Sequence, residues 1–312
     1  MSSSGASDPA QAFRAIIEKA EGRRVRTAVV HPVDRLSLSG AIDAKNAGLI
    51  QPVLVGPRDK IAAAADSIEF DIADEELIDT PHSHAAAATA AKMAGEGDVS
   101  AVMKGAIHTN ELMKAIIDKT NGLRTERRMS HVFVMETPAY PKHLMITDGA
   151  INISPDLKTK RDIVQNAIEL ANAIGVSTPL VAILSATEEV DPNIPSTIDA
   201  AALCKMADRK QILGGLVDGP LAFDLAISAD AVAAKGLSSP VAGAADILVV
   251  PTLEAGNMIA KQLDYLAGAA AAGLVIGAKV PIILTSRADS AAERVGSCAL
   301  AKLFARRMGR AG

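Results

Sequence analysis

Aromatic side chains are scarce in this chain, at 2% of its 312 residues, and tryptophan is absent. The interior therefore has to be filled by Ala, Val, Ile and Leu. This composition favours close packing of helices on sheets over a β-sandwich centred on aromatic residues. Two glycine motifs are also missing: no G-x-G-x-x-G joins a strand to a helix, and no G-x-x-x-x-G-K-[ST] occurs. The sequence thus has neither the dinucleotide-binding fingerprint nor a P-loop.

An excess of positive charge is missing as well. The formal net charge is −4, so the chain lacks the surplus of Lys and Arg that neutralises the phosphates of nucleic acids. The stretch 265–284 is largely apolar, but Lys279 and Pro281 interrupt it. A helix followed by a buried strand explains this stretch better than a membrane span. We therefore expect neither nucleic acid nor a membrane among the partners.

Residues that bind metals or form disulfides are few. Cys204 and Cys298 are predicted to lie in helices among small residues, which indicates free thiols in a reducing cytoplasm. His82 and His84 stand beside an alanine-rich helix without carboxylates at ligand spacing. Surface or capping roles are therefore favoured for both histidines, and no metal site is predicted.

The length and the hydrophobic pattern predict the fold class. A chain of 312 residues exceeds what one core usually serves, so two domains are expected. Short apolar runs alternate with helical patterns, which indicates mostly parallel sheets covered by helices on both faces, an α/β fold. The pattern also predicts consecutive strands at 132–135 and 144–146, an irregular acidic segment at 71–80, a strand at 215–217 ending in the turn Asp218-Gly219-Pro220, and a helix over 254–272.

The stretch Lys279–Ala301 is the most informative part of the chain. The apolar run Val280–Leu284 predicts a buried strand, followed by a turn at 285–287 and an alanine-rich helix capped by Asp289 or Ser290. Unpaired N–H groups at a helix start favour an anion, and Arg287 is suited to bidentate binding of phosphate or carboxylate. The alternative is an ordinary strand–turn–helix with a serine cap.

Polar residues follow several of the predicted strands. Right-handed crossovers between parallel strands place the loops after the strands along one edge of the sheet, where α/β proteins bind ligands. The residues expected at this edge are Lys104, His108, Thr109, Asp148, Asn152, Asp218, Gly219, Pro220, Glu254, Asn257, Ser286 and Arg287.

Between about Val25 and Leu303 the chain contains, in this order, the motifs TAVVHP, GLIQPVLVGP, VMKGAIHT, SHVFVM, TDGAINISPDL, KMADRKQ, VDGPLAFDLAIS, ADILVVPTLEAGNM and KVPIILTSRADS. With these motifs the sequence resembles the phosphate acetyl/butyryl transferase family. The resemblance implies two α/β/α domains with an interdomain active-site cleft, and a homodimer. It also implies a discontinuous domain, 1–150 plus 280–312, that carries the Ser-Arg motif, and an inserted domain, 151–279.

The reaction that the resemblance implies is reversible transfer of an acetyl or other short acyl group between coenzyme A and inorganic phosphate, giving acyl phosphate. Coenzyme A is then a substrate, and no cofactor is implied. Ser286 matches the residue that donates its hydroxyl to the oxyanion, and Arg287 matches the phosphate clamp. Matching positions imply substrate-binding roles for Arg128, Lys104, His108, Thr109, Asn152 and Asn257.

Two carboxylates compete for the role of general base. A coenzyme A thiol with a pKa near 8.5 is mostly neutral at pH 7, so a base assists its attack. Glu293 aligns with the catalytic aspartate of the family but is one methylene longer. Asp289 lies four residues earlier on the same helix face. Either carboxylate could instead cap the helix or form an ion pair.

Three other functions compete with acetyl transfer. Phosphate butyryltransferase is the nearest, because Lys104 replaces a small residue as in the butyryl branch and the acyl length is not fixed by the motifs. A dehydrogenase of related architecture would need a metal-binding carboxylate cluster and a nicotinamide site. A non-catalytic acyl-coenzyme A sensor would need neither Ser286 nor the acidic residue.

Overall fold

The computed structural model of the chain describes residues 12–286 and 288–310, which divide into two compact units. One unit is continuous, Arg128–Ala271. The other is discontinuous and combines residues 12–127 with residues 272–310. The family resemblance implies that the chain passes between the units at 150/151 and 279/280. In the structure the two changeovers fall earlier, at 127/128 and 271/272, so that the consecutive strands after Arg128 belong to the continuous unit.

The discontinuous unit starts with alternating strands and helices. Strand β1, Val25–Val30, ends in an apolar run that is covered on both sides, with Ala28, Val29 and Val30 fully buried. His82 is the N-cap of helix α4, Ser83–Glu96, and its Nδ1 accepts the backbone N–H of Ala85 at 3.1 Å, so the predicted capping role is confirmed. In chain order the elements are α1 Arg14–Lys19, β1 Val25–Val30, α2 Arg35–Asn46, β2 Ile50–Gly56, α3 Arg58–Asp66, β3 Glu76–Asp79, α4 Ser83–Glu96, β4 Ala101–Lys104, α5 Thr109–Ile117 and a 3-10 helix Lys119–Asn121.

The continuous unit contains the next ten elements. They are β5 Ser130–Glu136, β6 Leu144–Thr147, α6 Leu157–Ala173, β7 Leu180–Leu184, α7 Pro195–Asp208, β8 Leu216–Leu221, α8 Phe223–Ile227, α9 Ala229–Lys235, β9 Ile247–Val249 and α10 Leu253–Ala267. Strands β5 and β6 are consecutive, as the sequence predicts, and they pair antiparallel. The other pairings of this unit are parallel, in the order β5-β6-β9-β7-β8.

The chain then returns to the discontinuous unit through β10 Ala270–Ile276, β11 Ile282–Ile283 and α11 Ala291–Arg307. The order of strands in this unit is β3-β2-β1-β4-β11-β10, and only the pair β10–β11 is antiparallel. Helix α11 is buried along most of its length and carries the ammonium of Lys302 to the carbonyl oxygens of Gly22 and Gly48, at 3.0 and 2.8 Å. The last part of the chain therefore completes the sheet that the first part begins.

Three details of the predicted secondary structure were wrong. The segment 71–80 is not wholly irregular, because β3 forms the edge of its sheet and Glu76 pairs there with Arg26 at 2.5 and 2.6 Å. The triplet Asp218-Gly219-Pro220 is not a turn but lies in β8, an edge strand of its unit, where a ring without an N–H is tolerated. The helix predicted over 254–272 ends at Ala267, and β10 follows it.

Strand β10 was not predicted because it is made largely of alanine and glycine, which prefer helices and turns. Packing overrides these preferences, because the small residues let helix α11 come close. The backbone N–H of Gly273 donates to the hydroxyl of Ser297 in that helix at 3.0 Å. Both cysteines are free: Cys298 is buried and Cys204 is half-buried, in agreement with the prediction. In the described ranges, no helix has both the length and the apolar character needed to cross a membrane.

Candidate active site

A pocket opens where three neighbouring parallel strands of the discontinuous unit end. Strands β1, β4 and β11 are adjacent in the order β1-β4-β11, and the loop after each one contributes to the pocket. Helix α11 adds one side chain from outside these loops. The lining residues are Asp34, Leu36, Ser37, Lys104, Gly105, Ala106, Thr285, Ser286 and Arg294. The sheet edge predicted from the chain pattern is therefore the edge that carries this pocket.

Close backbone contacts hold the loops after β1 and β4 together. The N–H groups of Gly105 and Ala106 donate to the carbonyl oxygens of Val30 and His31, at 2.9 and 3.0 Å. A β-carbon at Gly105 would lie 2.4 Å from the Val30 oxygen, so only glycine allows this approach. The loop that follows Lys104 is thereby fixed to the end of β1.

Lys104 joins the loops after β4 and β11. It is the last residue of β4, and its half-buried ammonium donates to the carbonyl oxygen of Thr285 at 3.3 Å and contacts that of Gly105 at 3.5 Å. The hydroxyl of Thr285 in turn reaches the Lys104 carbonyl at 3.5 Å. A positive charge therefore stands beside Ser286, the neighbour of Thr285, in the same pocket.

Ser286 begins a tight turn that Asp289 closes. The backbone N–H of Ser286 donates to Oδ2 of Asp289 at 2.6 Å, and the N–H of Ala288 donates to the Ser286 hydroxyl oxygen at 3.3 Å. The side chain of Ser286 is exposed, and that of Asp289 is half-buried. Arg287 lies outside the described residues, so its predicted role as phosphate clamp stays a prediction.

Glu293 lies in a reciprocal capping box at the start of α11. Ser290 is the N-cap, its hydroxyl accepts the N–H of Glu293 at 3.3 Å, and Oε2 of Glu293 accepts the N–H of Ser290 at 2.6 Å. Of the two caps that the sequence allowed, Ser290 is therefore the one used. Glu293 has a structural role in this arrangement, whereas Asp289 is bound to the turn of Ser286.

The other predicted residues of this unit lie at the start of α5. His108 occupies the N-cap position, is exposed and makes no side-chain capping bond, and Thr109 is the first helical residue. Both follow β4 in the chain, as predicted, but neither lines the pocket described above. Their substrate-binding roles stay predictions.

The loop 148–152 of the continuous unit is a second polar centre. The buried carboxylate of Asp148 accepts the backbone N–H groups of Ala150, Ile151 and Asn152 at 2.9–3.1 Å. It also accepts the side-chain amide of Asn152 at 2.6 Å. Asn257 donates from its own amide to the carbonyl oxygen of Gly149 at 3.3 Å. Two of the predicted binding residues, Asn152 and Asn257, therefore meet at one loop.

Arg128 stands at the beginning of the same unit. Its backbone N–H donates to Oδ2 of Asp162 at 3.0 Å, and its carbonyl oxygen accepts the amide of Asn166 at 2.9 Å. These bonds fix the backbone to helix α6, while the side chain is exposed. The position suits a residue that binds a phosphate group from solvent, and that role stays a prediction.

His131 and Arg294 are among the buried ionisable side chains that the sequence did not reveal. His131 in β5 is buried, its Nδ1 has no hydrogen-bond partner among the described residues, and burial lowers its pKa to about 4, opposed by the charge of Asp148. Arg294 in α11 is only 8% exposed. An ionisable residue in an otherwise largely apolar strand was the available signal for His131. In the described ranges, no cluster of three or more His, Cys, Asp or Glu side chains is suited to hold a metal ion.

The family model for phosphate acetyl/butaryl transferase matches residues 79–302, and the chain belongs to this family. It is 59% identical over 281 residues to a phosphate acetyltransferase of Rhizobium meliloti, covering 90% of this chain and 89% of the relative. It is 41% identical over 296 residues to a phosphate butyryltransferase of Clostridium acetobutylicum, covering 95% of this chain and 98% of the relative. The fold matches a branched-chain phosphotransacylase from Enterococcus faecalis V583 with a TM-score of 0.78 and 30% identity, over 90% of this chain and 99% of that one.

Proposed function

We propose that the chain catalyses reversible acetyl transfer between coenzyme A and inorganic phosphate, with acetyl phosphate as the acyl phosphate. The observation that carries the proposal is the 59% identity, over 90% of the chain, to a phosphate acetyltransferase. The pocket supports it, because Ser286, Lys104 and Arg294 are a hydroxyl and two cations at one sheet edge. Such a set suits a reaction in which negative charge develops on a carbonyl oxygen and phosphate departs as an anion.

The transfer is direct in this proposal. The thiolate of coenzyme A attacks the carbonyl carbon of acetyl phosphate, the new C–S bond forms, and the C–O bond to phosphate breaks. A carboxylate of the chain, Glu293 or Asp289, takes the thiol proton. Ser286 donates its hydroxyl to the oxyanion, and Arg287 binds the phosphoryl oxygens in bidentate fashion. Coenzyme A enters as substrate and no further cofactor takes part.

The residues of the continuous unit complete the substrate contacts. We assign Arg128 to a phosphate group of coenzyme A or of the acyl phosphate, and Asn152 and Asn257 to polar contacts near the Asp148 loop. His108 and Thr109 are assigned to the same substrates from the loop after β4. The exposed positions of Arg128, His108 and Asn257 support these assignments, since a binding residue has to reach solvent when the site is empty.

The physiological setting proposed is a cytoplasmic homodimer. Two free cysteines suit a reducing compartment. Helix α10 offers a candidate dimer surface, because Met258, Tyr265 and Leu266 are 67%, 71% and 80% exposed on one element. Apolar side chains this exposed are typical of surfaces that a partner covers.

The test is formation of the thioester from coenzyme A and acyl phosphate, without added metal or nicotinamide. Acetyl, propionyl and butyryl phosphate are compared side by side, and we expect the highest kcat/KM with acetyl phosphate. Ser286→Ala should lower kcat by about 10²–10³-fold, the effect of one lost oxyanion donor. A preference for butyryl phosphate would favour phosphate butyryltransferase, the alternative supported by the 41% identity. No turnover with any of the three would contradict the proposal.

A further inference from the structure

Arg294 is a buried cation that lines the pocket. Its side chain projects from the second turn of α11, and the residue is 8% exposed. One guanidinium nitrogen, Nη1, donates to the carbonyl oxygen of Asp289. Within the described ranges its Nε has no partner, and no carboxylate pairs with the guanidinium. Among the described residues, the guanidinium of Arg294 thus bonds to a backbone carbonyl, which carries no opposite charge.

A guanidinium in this position is costly unless an anion binds beside it. Arginines are almost never fully buried without a partner, because removing the charge from water is expensive and a single carbonyl compensates little of the cost. The planar fork keeps several N–H donors when one is used by Asp289. Its geometry matches the oxygens of phosphate and carboxylate. The unpaired charge therefore points to an anionic ligand in the pocket.

The rest of the pocket suits an anion with several oxygens. The ammonium of Lys104 and the hydroxyl of Ser286 belong to the same lining, and helix α2 starts there. The one carboxylate of the lining, that of Asp34, is the N-cap of α2 and accepts both the N–H and the hydroxyl of Ser37 at 2.8 Å. The Asp34 carboxylate is thus bonded to the first turn of the helix and makes no ion pair with Arg294.

The neighbouring helix is shaped to admit the Arg294 side chain. A β-carbon at Gly40 in α2 would lie 2.8 Å from Cδ and 3.1 Å from Nε of Arg294. Gly40 is buried in the middle of a helix, where glycine is normally unfavourable relative to alanine. The missing side chain makes room for the arginine to cross α2 toward the pocket.

We propose that Arg294 binds the phosphoryl group of the substrate, as inorganic phosphate in one direction and as the phosphate of the acyl phosphate in the other. The assignment rests on the proposed function and names a binding residue for it. Arg294 acts with Lys104 and is separate from Arg287, the neighbour of Ser286 in the chain. Because Arg294 also holds the carbonyl of Asp289, phosphate binding is linked to the position of the turn that carries Ser286.

The experiment measures phosphate binding and kinetics in Arg294→Lys and Arg294→Gln. With acetyl-coenzyme A and inorganic phosphate, the KM for phosphate should rise at least tenfold, while the KM for coenzyme A in the reverse direction stays within twofold. Calorimetry with inorganic phosphate alone should show the same loss of affinity. The matched control is Arg306→Lys on the same helix, whose guanidinium also donates to carbonyl oxygens, those of Lys19, Ala20 and Glu21, and should leave the KM for phosphate unchanged.

A second variant covers the case in which the Arg294 variants do not fold. Gly40→Ala keeps the guanidinium but pushes its stem, and it should also raise the KM for phosphate and reduce the increase in Tm that phosphate gives to the wild-type protein. Unchanged phosphate affinity in folded variants of Arg294, or in Gly40→Ala if those do not fold, would overturn the assignment. If the wild-type protein binds phosphate through Arg294 but transfers no acyl group, the proposed function fails and the phosphate site stands.

Discussion

Glu293 and Ser290 form two reciprocal hydrogen bonds at the start of helix α11. The carboxylate of Glu293 accepts the backbone N–H of Ser290 at 2.6 Å, and the Ser290 hydroxyl accepts the N–H of Glu293 at 3.3 Å. A carboxylate in a capping box is held by the helix and has a structural function of its own. The candidate base is therefore also part of the local fold, and an experiment has to separate the two functions.

The variant Glu293→Gln separates the capping function of Glu293 from its proposed function as base. Glutamine also closes a capping box but cannot accept a proton at neutral pH. If Glu293 is the general base, kcat should fall by about 10²–10⁴-fold while the affinity for coenzyme A and the Tm stay close to wild type. Steady-state kinetics and thermal melts of the same preparation measure both effects.

Ser290→Ala is the matched control for that variant. It removes the cap and should cost about 1 kcal/mol of stability, but it leaves the carboxylate in place, so kcat should change little. A glutamine variant that keeps its rate and the acidic limb of its pH profile would remove Glu293 from the chemistry and leave Asp289 as the base.

Asp289 contributes to the turn at Ser286 in a way that can be measured separately. Asp289→Asn keeps an oxygen that accepts the N–H of Ser286 but loses the charge that strengthens this bond. With Glu293 as base, we expect kcat within about threefold of wild type and a loss of roughly 1 kcal/mol in stability.

The pH dependence of kcat/KM in wild type, Asp289→Asn and Glu293→Gln decides between the two carboxylates. The variant that loses the acidic limb identifies the base. Loss of this limb in Asp289→Asn, together with a strong fall in kcat, would exclude the assignment of Glu293.

His131 should make the protein sensitive to acid. Burial lowers its pKa from 6.5 to about 4, so the unfolded chain binds a proton at a pH at which the folded chain does not. Stability is then complete above pH 6.5 and falls between pH 6.5 and 4. By pH 4.5 the contribution lost is about 2 kcal/mol.

His131→Gln removes this titration. The variant should be less stable than wild type at pH 7, and the difference should shrink by about 2 kcal/mol at pH 4.5. Denaturant unfolding at the two pH values measures it, with His108→Gln, at an exposed histidine, as the control. A difference between His131→Gln and wild type that is the same at both pH values would show that His131 is not protonated on unfolding.

The proposed dimer surface on α10 is tested by introducing a charged side chain into it. Leu266→Glu should give a monomer at micromolar concentration in sedimentation velocity, because the carboxylate would be buried in the interface. Leu213→Glu is the control, since Leu213 is 57% exposed in the same unit but lies in the loop between α7 and β8. A wild-type chain that sediments as a monomer would exclude the dimer, and a Leu266→Glu dimer would place the interface elsewhere.

The pattern of apolar runs was sufficient for most of the fold. Strands β5 and β6 contain the runs 132–135 and 144–146 that the sequence predicts, since short, largely buried apolar runs allow few other structures. Polar residues after β4 and β11 were predicted to lie at one edge of the sheet, and Lys104 and Ser286 do line one pocket. Parallel connections place strand ends together without any need to know the side-chain contacts.

The remaining parts depend on contacts distant in sequence. Strand β3 is acidic and β10 is made largely of alanine and glycine, so neighbours in the sheet, and not local preference, decide their conformation. Arg294 resembles any helical arginine until its burial and the facing Gly40 are known. The contribution of the loop after β1 was missed for the same reason, because only the sheet order brings Asp34 and Ser286 to the same pocket.

The order of strands in the discontinuous unit has a consequence during protein synthesis. Strand β4 pairs on one side with β1, which is made about 70 residues before it, and on the other with β11, which leaves the ribosome only after the whole continuous unit. At ribosomal speeds this delay is roughly 10–35 s, during which one edge of β4 exposes unpaired N–H and C=O groups to other nascent chains or to chaperones. The pocket of Ser286 is therefore assembled last, and every truncated chain that stops before β11 is without it.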